Sequence, residues 1–168
     1  NFYSIAGSAE ATALPAASID LIVAGQAFHW FEQQATGREW RRIARGRGWT
    51  ALVWNERDLD ASPFMRDYEA LMQRGATGYD KIVHRGFEQH LKSDFFNGSL
   101  RVFELAHRQV FNREGLLGRL FSSSYMPQAG VEGYETVRRE ADDLFQTYAR
   151  EDRIELIYRT RLFLGALS

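Results

Sequence analysis

Ile19-Asp20-Leu21-Ile22-Val23-Ala24-Gly25-Gln26-Ala27-Phe28-His29-Trp30-Phe31 carries the chain's strongest fold signal. It begins as a continuous apolar run, turns at Gly25 and ends in a dense aromatic cluster. A run apolar on both faces suits a parallel strand buried between helix layers, because polar alternation is lost when neither face meets water. Open α/β sheets bind their ligands just past the carboxyl ends of such strands. Ala24 to Phe31 is therefore where chemistry is expected.

Working outward, Phe2 to Ala6 reads as a short strand closed by Gly7, and Ser8 to Pro15 as a loop. A helical segment follows the aromatic cluster at about 33–45, with Trp40, Ile43 and Ala44 at helical spacing. Gly46-Arg47-Gly48 reads as a turn and Trp49 to Trp54 as a second buried strand. Ser62 as N-cap and Pro63 at the first helical position start a helix. Its apolar stripe is Phe64, Met65, Tyr68, Leu71 and Met72, and Gly75 stops it. Tyr79 to Gly98 is weaker, a short helix and then a loop.

Leu100 to Phe111 predicts a strand, Glu114 to Leu120 a helix, and Ser122 to Pro127 a loop. Tyr134, Val137, Ala141, Leu144, Phe145 and Tyr148 mark a helix of roughly four turns. From Ile154 to Leu164, apolar residues alternate with Glu155, Arg159 and Arg161, which predicts a final strand with a more exposed face. The last two strands are expected to pair antiparallel at a sheet edge. Strands alternating with helices make the fold class α/β.

The 168 residues suit one domain, 1–168, with a sizeable core. A hydrophobic share of 45% and a charged share of 26% are those of an ordinary globular protein. The formal net charge of -1 gives no overall field favouring nucleic acid or a membrane surface. There is no cysteine, so disulfides, thiolate metal ligands and a thiol nucleophile are excluded. That fits a reducing, cytoplasmic setting. No apolar run approaches a membrane span, and no signal peptide opens the chain. Asn1 is an unusual first residue, so a longer reading frame is expected.

Four motifs occur in order: Gly7 to Glu10 with Leu14-Pro15, Asp20 to Phe31, Gly48 to Asn55, and Gly118 to Tyr125. On these residues the chain resembles class I S-adenosylmethionine-dependent methyltransferases. The likeness runs from that family's third strand to its seventh, over most of the 168 residues. The His29-Trp30-Phe31 motif and the tail from Gly118 are similar to a subgroup that includes trans-aconitate methyltransferases.

The resemblance implies a Rossmann-like sheet with helices on both faces and S-adenosylmethionine as cofactor. It implies that the loop after the third strand meets the adenine, with polar contacts from Ser8 and Glu10 and a backbone N–H from Ala9. It places Ala24, Gly25 and Gln26 along the methionine end and His29 and Trp30 towards a small-molecule acceptor, an oxygen of an organic acid. The reaction implied is in-line displacement at the sulfonium methyl, sped mainly by alignment. Aromatic faces such as Phe28 and Trp30 would stabilise the cation. Arg119 with Ser122, Ser124 and Tyr125 would grip an anionic acceptor, since Arg binds carboxylate in a bidentate fork.

The chain departs from the family at the start. It carries neither the first strand with its Gly-rich loop nor the acid after the second strand. Gly46-Arg47-Gly48 stands where the family usually has Pro-Gly-Gly, and it follows a helix, whereas a cofactor loop follows a strand. The fold expected is thus that sheet lacking its first strand-helix units, N-terminally truncated, with half of a cofactor site. In the family the first strand lies beside the fourth, so the strand 19–24 would keep an open apolar edge. Such edges invite pairing with another chain, and a homodimer covering this one is expected. Two readings stand side by side. One is a methyltransferase completed by its N-terminal part; the other is a catalytically inactive module acting as a dimer or interaction domain.

His29 suits a general base near neutral pH or a packing residue lining the site, and carboxylate methylation needs no base. Trp30 and Phe31 suit a pocket wall, and Asp20 a structural strand start. Arg38, Arg41, Arg42, Arg45 and Arg47 suit a solvated helix face diluted by Glu32, Glu39 and Glu56 better than a nucleic-acid surface. His84, His90 and His107 lack metal-ligand spacing, so no metal is expected, and no Gly-x-Ser-x-Gly elbow is present.

Overall fold

In the computed structural model, residues 1–76, 95–96 and 100–167 are described. Most of the Tyr79 to Gly98 segment read above lies outside them. Among the described residues four strands are hydrogen-bonded in the order β1-β2-β4-β3: β1 Ile19–Gly25, β2 Ala44–Arg57, β3 Arg101–Phe111 and β4 Ile154–Ala166. The described α-helices are α1 Gln33–Ile43, α2 Pro63–Gly75, α3 Arg113–Phe121 and α4 Tyr134–Tyr148. The sheet is mixed and the class is α/β. The last two strands are neighbours, with β3 at an edge. Among the described residues no helix is long and apolar enough to cross a membrane.

The chain divides into two compact units. One comprises Asn1–Asn55, His84–Leu105 and Thr160–Ser168, the other Glu56–Val83 and Ala106–Arg159.

The first unit is built on the parallel pair β1 and β2, joined through α1. Glu32 caps α1 by accepting the N–H groups of Gln34 at 3.0 Å and Ala35 at 2.6 Å, two of the donors a helix start leaves unpaired. Leu21, Val23 and Gly25 stand in register with Trp49, Ala51 and Val53. Ile19, however, pairs with Ala44, so β2 carries extra residues between the two pairings. They include Gly46 at φ 59 and Gly48 at φ 47, a left-handed backbone that glycine adopts without steric cost. A Cβ on Gly48 would also sit 2.3 Å from that of Ala44. The expected turn is therefore real but interrupts the strand rather than preceding it.

The core of this unit is aromatic. Phe28 and Phe96 are fully buried, with Trp40, Phe95, Trp54, Phe163, Leu52 and Ile43 around them. Phe28 meets Phe95 edge-on at 4.8 Å, and Trp54 meets Phe163 edge-on at 5.6 Å, the arrangement ring quadrupoles favour.

Two expectations for this unit are corrected. Phe2 to Ala6 forms no strand, and Phe2 is 92% exposed; a strand needs a partner to satisfy its backbone, and among the described residues none pairs with these. β1 is also not covered on both faces by the described residues. Ala24 is buried, while Leu21 is 52% and Val23 60% exposed.

The second unit packs α2, α3, α4 and the start of β4 around Met65, Tyr68, Leu116, Leu120, Ala141 and Leu156, all buried. Ser62 Oγ accepts the Met65 N–H at 3.3 Å and Pro63 opens α2, as the sequence predicts. Burial raises the Tyr68 hydroxyl well above the ordinary tyrosine range. Arg57 Nε pairs with Glu69 at 2.6 Å with both side chains largely shielded, and Tyr148 donates its hydroxyl to Asp67.

Candidate functional site

β1 ends at Gly25, and Gln26 lifts the chain off the sheet. Gln26 sits at φ 53, a left-handed conformation in which a Cβ crowds the following carbonyl. Two bonds hold it there. Its N–H donates to the Val53 carbonyl at 2.9 Å, and its Nε2 donates to the Asn55 carbonyl at 3.4 Å. Strain at a strand end persists only where neighbours over-determine it, and it is common at ligand sites. Among the described residues a Cβ built on Gly25 meets nothing within 4 Å, so they leave this strand end open.

A single tight turn, Phe28–Trp30, follows, closed by the Trp30 N–H on the Ala27 carbonyl at 2.9 Å. It splits the aromatic motif in two directions. Phe28 is fully buried in the core, so it offers no face to a ligand, contrary to the sequence expectation. Burying such a ring contributes about 1.5–3 kcal/mol, against about 0.5–1 kcal/mol for a cation–π contact at an exposed face. Phe31 packs against the same core. Trp30 is 66% exposed, and the half-buried His29 ring lies 4.7 Å from it.

The loop from Ser8 forms a second wall. Ser8 and Ala11 exchange backbone hydrogen bonds at 3.2 Å, which folds Ala9 and Glu10 into a compact tip. Glu10 Oε1 accepts the Glu32 N–H at 3.0 Å. That bond ties the tip to the residue immediately after the aromatic motif. It is also the main reason the Glu10 carboxyl lies below its ordinary range, followed by the Ser8 hydroxyl. The predicted residues Ser8, Ala9 and Glu10 are thus joined to the chain that continues from Ala24, Gly25, Gln26, His29 and Trp30.

Glu39 had no expected role beyond diluting the basic cluster. It is 9% exposed, and its Oε1 accepts from Thr12 N at 2.9 Å, Thr12 Oγ1 at 2.6 Å and Arg42 Nη2 at 2.8 Å. Oε2 accepts from Arg42 Nε at 2.7 Å, and Arg42 Nη2 also donates to the Leu14 carbonyl at 2.8 Å. Arg42 first, and then Thr12, hold the carboxyl down to about 2. The spacing of Glu39 and Arg42 on one helix face hinted at their pairing, but nothing local announces Thr12. Arg45 likewise pairs with Asp20, at 2.9 Å. The basic cluster is therefore partly a set of specific tethers.

Arg119, Ser124 and Tyr125 belong to the second unit. Arg119 Nη1 reaches Ser122 Oγ at 3.4 Å and Ser123 Oγ at 3.5 Å, so the structure pairs it with these hydroxyls rather than with Ser124. Ser124 is exposed at the loop surface and Tyr125 packs against the core of its unit. Among the described residues no cluster of three His, Asp or Glu side chains suits a metal ion.

The first unit therefore offers backbone amides and carbonyls at a strand end, a hydroxyl and a carboxylate on a tethered loop, and an exposed aromatic face beside an imidazole. Such a set suits a small ligand with both polar and flat or cationic parts.

Residues 2–52 match the profile of a family described as a methyltransferase domain. An uncharacterized methyltransferase-like protein of Schizosaccharomyces pombe is 30% identical over 161 residues, 94% of this chain and 62% of its own length. The chain thus spans less than two thirds of that relative. A structure from Anaeromyxobacter dehalogenans, provisionally assigned as a type II methyltransferase, superimposes with a TM-score of 0.64 at 24% identity, over 95% of this chain and 69% of that one. A second, provisionally assigned as a methyltransferase from an antibiotic biosynthesis pathway of Anabaena variabilis, gives 0.58 at 18% identity, over 93% and 70%. These likenesses show the fold: α/β, of the Rossmann-like methyltransferase type.

Proposed function

Because this fold is that of Rossmann-like methyltransferases and residues 2–52 match a methyltransferase domain, we propose that the chain is part of an S-adenosylmethionine-dependent methyltransferase. Its acceptor is a small molecule presenting an organic acid oxygen, in the manner of the trans-aconitate subgroup.

The residues present fit the cofactor. The open space at Gly25, the strained and doubly held Gln26, and the exposed face of Trp30 suit a ligand with a polar amino-acid end and a sulfonium. In this reading Ser8, Ala9 and Glu10 hold the adenine, and Ala24, Gly25 and Gln26 the methionine end. Bound, the cofactor supplies an electrophilic methyl group. The chain's own residues then align and shield. Trp30 walls the site and His29 orients the acceptor, which needs no base if it is a carboxylate.

The observation that carries the reading is the Glu10–Glu32 hydrogen bond at 3.0 Å, because it joins the two loops assigned to the cofactor. The test is hydrogen exchange with and without S-adenosylhomocysteine. Protection confined to residues 8–10 and 24–30 is expected. Uniform exchange at saturating ligand would contradict the reading.

A second reading, a non-catalytic module that pairs with a second copy of itself, is favoured by the exposure of Leu21 and Val23 on β1, an edge strand among the described residues.

A further inference from the structure

Three contacts tie the loop Ser8–Leu14 to α1 and its cap. Glu10 accepts the Glu32 N–H at 3.0 Å, Thr12 donates twice to Glu39, and the Leu14 carbonyl accepts from Arg42 at 2.8 Å. Between the last two anchors lies Ala13 at φ 57, a left-handed backbone that alanine avoids. Such a conformation persists only when its surroundings over-determine it, and here the residues on both sides are tethered to the same ion pair. Glu39 is the hub. It is nearly buried, both its oxygens are occupied, and its partners are one loop residue and one helix residue. Upstream the loop is equally constrained, since a Cβ on Gly7 would sit 2.9 Å from the Ala11 carbonyl.

A surface helix needs no such arrangement for its own stability. The contacts cross 27 residues of sequence to hold a short, otherwise irregular segment whose tip carries Ser8, Ala9 and Glu10. Holding a binding loop in one shape before the ligand arrives removes the cost of ordering it on binding. We propose that Glu39, through Thr12 and Arg42, is a positioning residue that pre-shapes the Ser8–Glu10 loop for the adenine end of its ligand. The proposal rests on the cofactor reading above and names a residue that reading does not use.

The experiment is a double-mutant cycle on the full chain with Thr12→Val, Glu39→Gln and both, plus Thr12→Ser, which keeps the hydroxyl. Calorimetry reads affinity for S-adenosylhomocysteine and for 5′-methylthioadenosine, which keeps the adenine but lacks the amino-acid end. Each of the first two variants is expected to weaken both ligands by a similar factor, about tenfold, the scale of one lost charge-assisted hydrogen bond. The double variant should lose little more than either single one, and Thr12→Ser should bind like the parent. Glu140→Gln, which breaks the exposed Arg74–Glu140 pair of the second unit, should also bind like the parent.

Unchanged affinity in folded Thr12→Val and Glu39→Gln would overturn the proposal. So would strictly additive losses. If the parent binds neither ligand, the cofactor reading fails, and hydrogen exchange of Ser8–Thr12 judges the tether by itself. Faster exchange there in Glu39→Gln, with the rest unchanged, upholds it as a loop-shaping contact. Equal exchange overturns it.

Discussion

Glu10 Oε1 accepts the backbone N–H of Glu32 at 3.0 Å, and Glu32 in turn caps α1 through Gln34 and Ala35. One carboxylate thus links the Ser8–Ala11 tip to the residue that follows the aromatic motif, and a second starts the helix that leads away from it.

Glu10→Ala should release the tip without unfolding the chain. Affinity for S-adenosylhomocysteine is expected to fall about tenfold, the scale of one charge-assisted hydrogen bond. The far-ultraviolet spectrum should be unchanged. Calorimetry and circular dichroism on the same samples check this.

The Glu39 tether has a defined pH window. Its carboxyl is held down to about 2 by Arg42 and Thr12, below the ordinary carboxylate value of about 4.3 in the unfolded chain. A depressed folded value means the contribution to stability is fully present above the unfolded value and is lost as pH falls towards the folded one. Urea midpoints of the parent and Glu39→Gln should differ at pH 6 and converge between about pH 4.3 and 2. A constant gap would show that the carboxylate charge contributes nothing.

Two glycines should respond with opposite sign to alanine. A Cβ on Gly165 would lie 2.4 Å from the fully buried Phe96 ring, so Gly165→Ala overpacks the first core and should cost about 1–3 kcal/mol. Gly118 lies inside α3 with nothing within 4 Å of the built Cβ. Gly118→Ala should stabilise by about 0.5–1 kcal/mol, since glycine weakens a helix interior. Urea unfolding monitored by tryptophan fluorescence measures both.

The apolar edge of β1 predicts self-association. Light scattering at high concentration should report a dimer, and Val23→Lys, a charge on the 60% exposed position, should shift it to monomer. A monomeric parent at every concentration would contradict the pairing.

Local pattern made much of this fold legible. The stripe from Tyr134 to Tyr148 matches α4, and the Ser62-Pro63 signal marks the start of α2, because caps and periodicity act within a few residues. The β1 run was legible as a strand, but its apolar faces gave no information on which segments cover them, and Leu21 and Val23 remain exposed. Phe2 to Ala6 has strand composition but no strand partner among the described residues, which composition does not report. The interruption at Gly46 and Gly48 depends on which residues of β1 lie opposite, a non-local matter. At the site, the aromatic motif was legible as a group, yet the sequence did not separate Phe28, committed to the core, from Trp30, left in solvent. The Thr12–Glu39 contact spans 27 residues and has no local signature.

The most direct test of the central claim is calorimetric titration of S-adenosylhomocysteine into this 168-residue chain. Saturable binding with one site per chain, weakened because the chain carries only half of the cofactor site, is the predicted result. No heat of binding at millimolar ligand, from protein shown to be folded, would contradict the claim that these loops form a cofactor site.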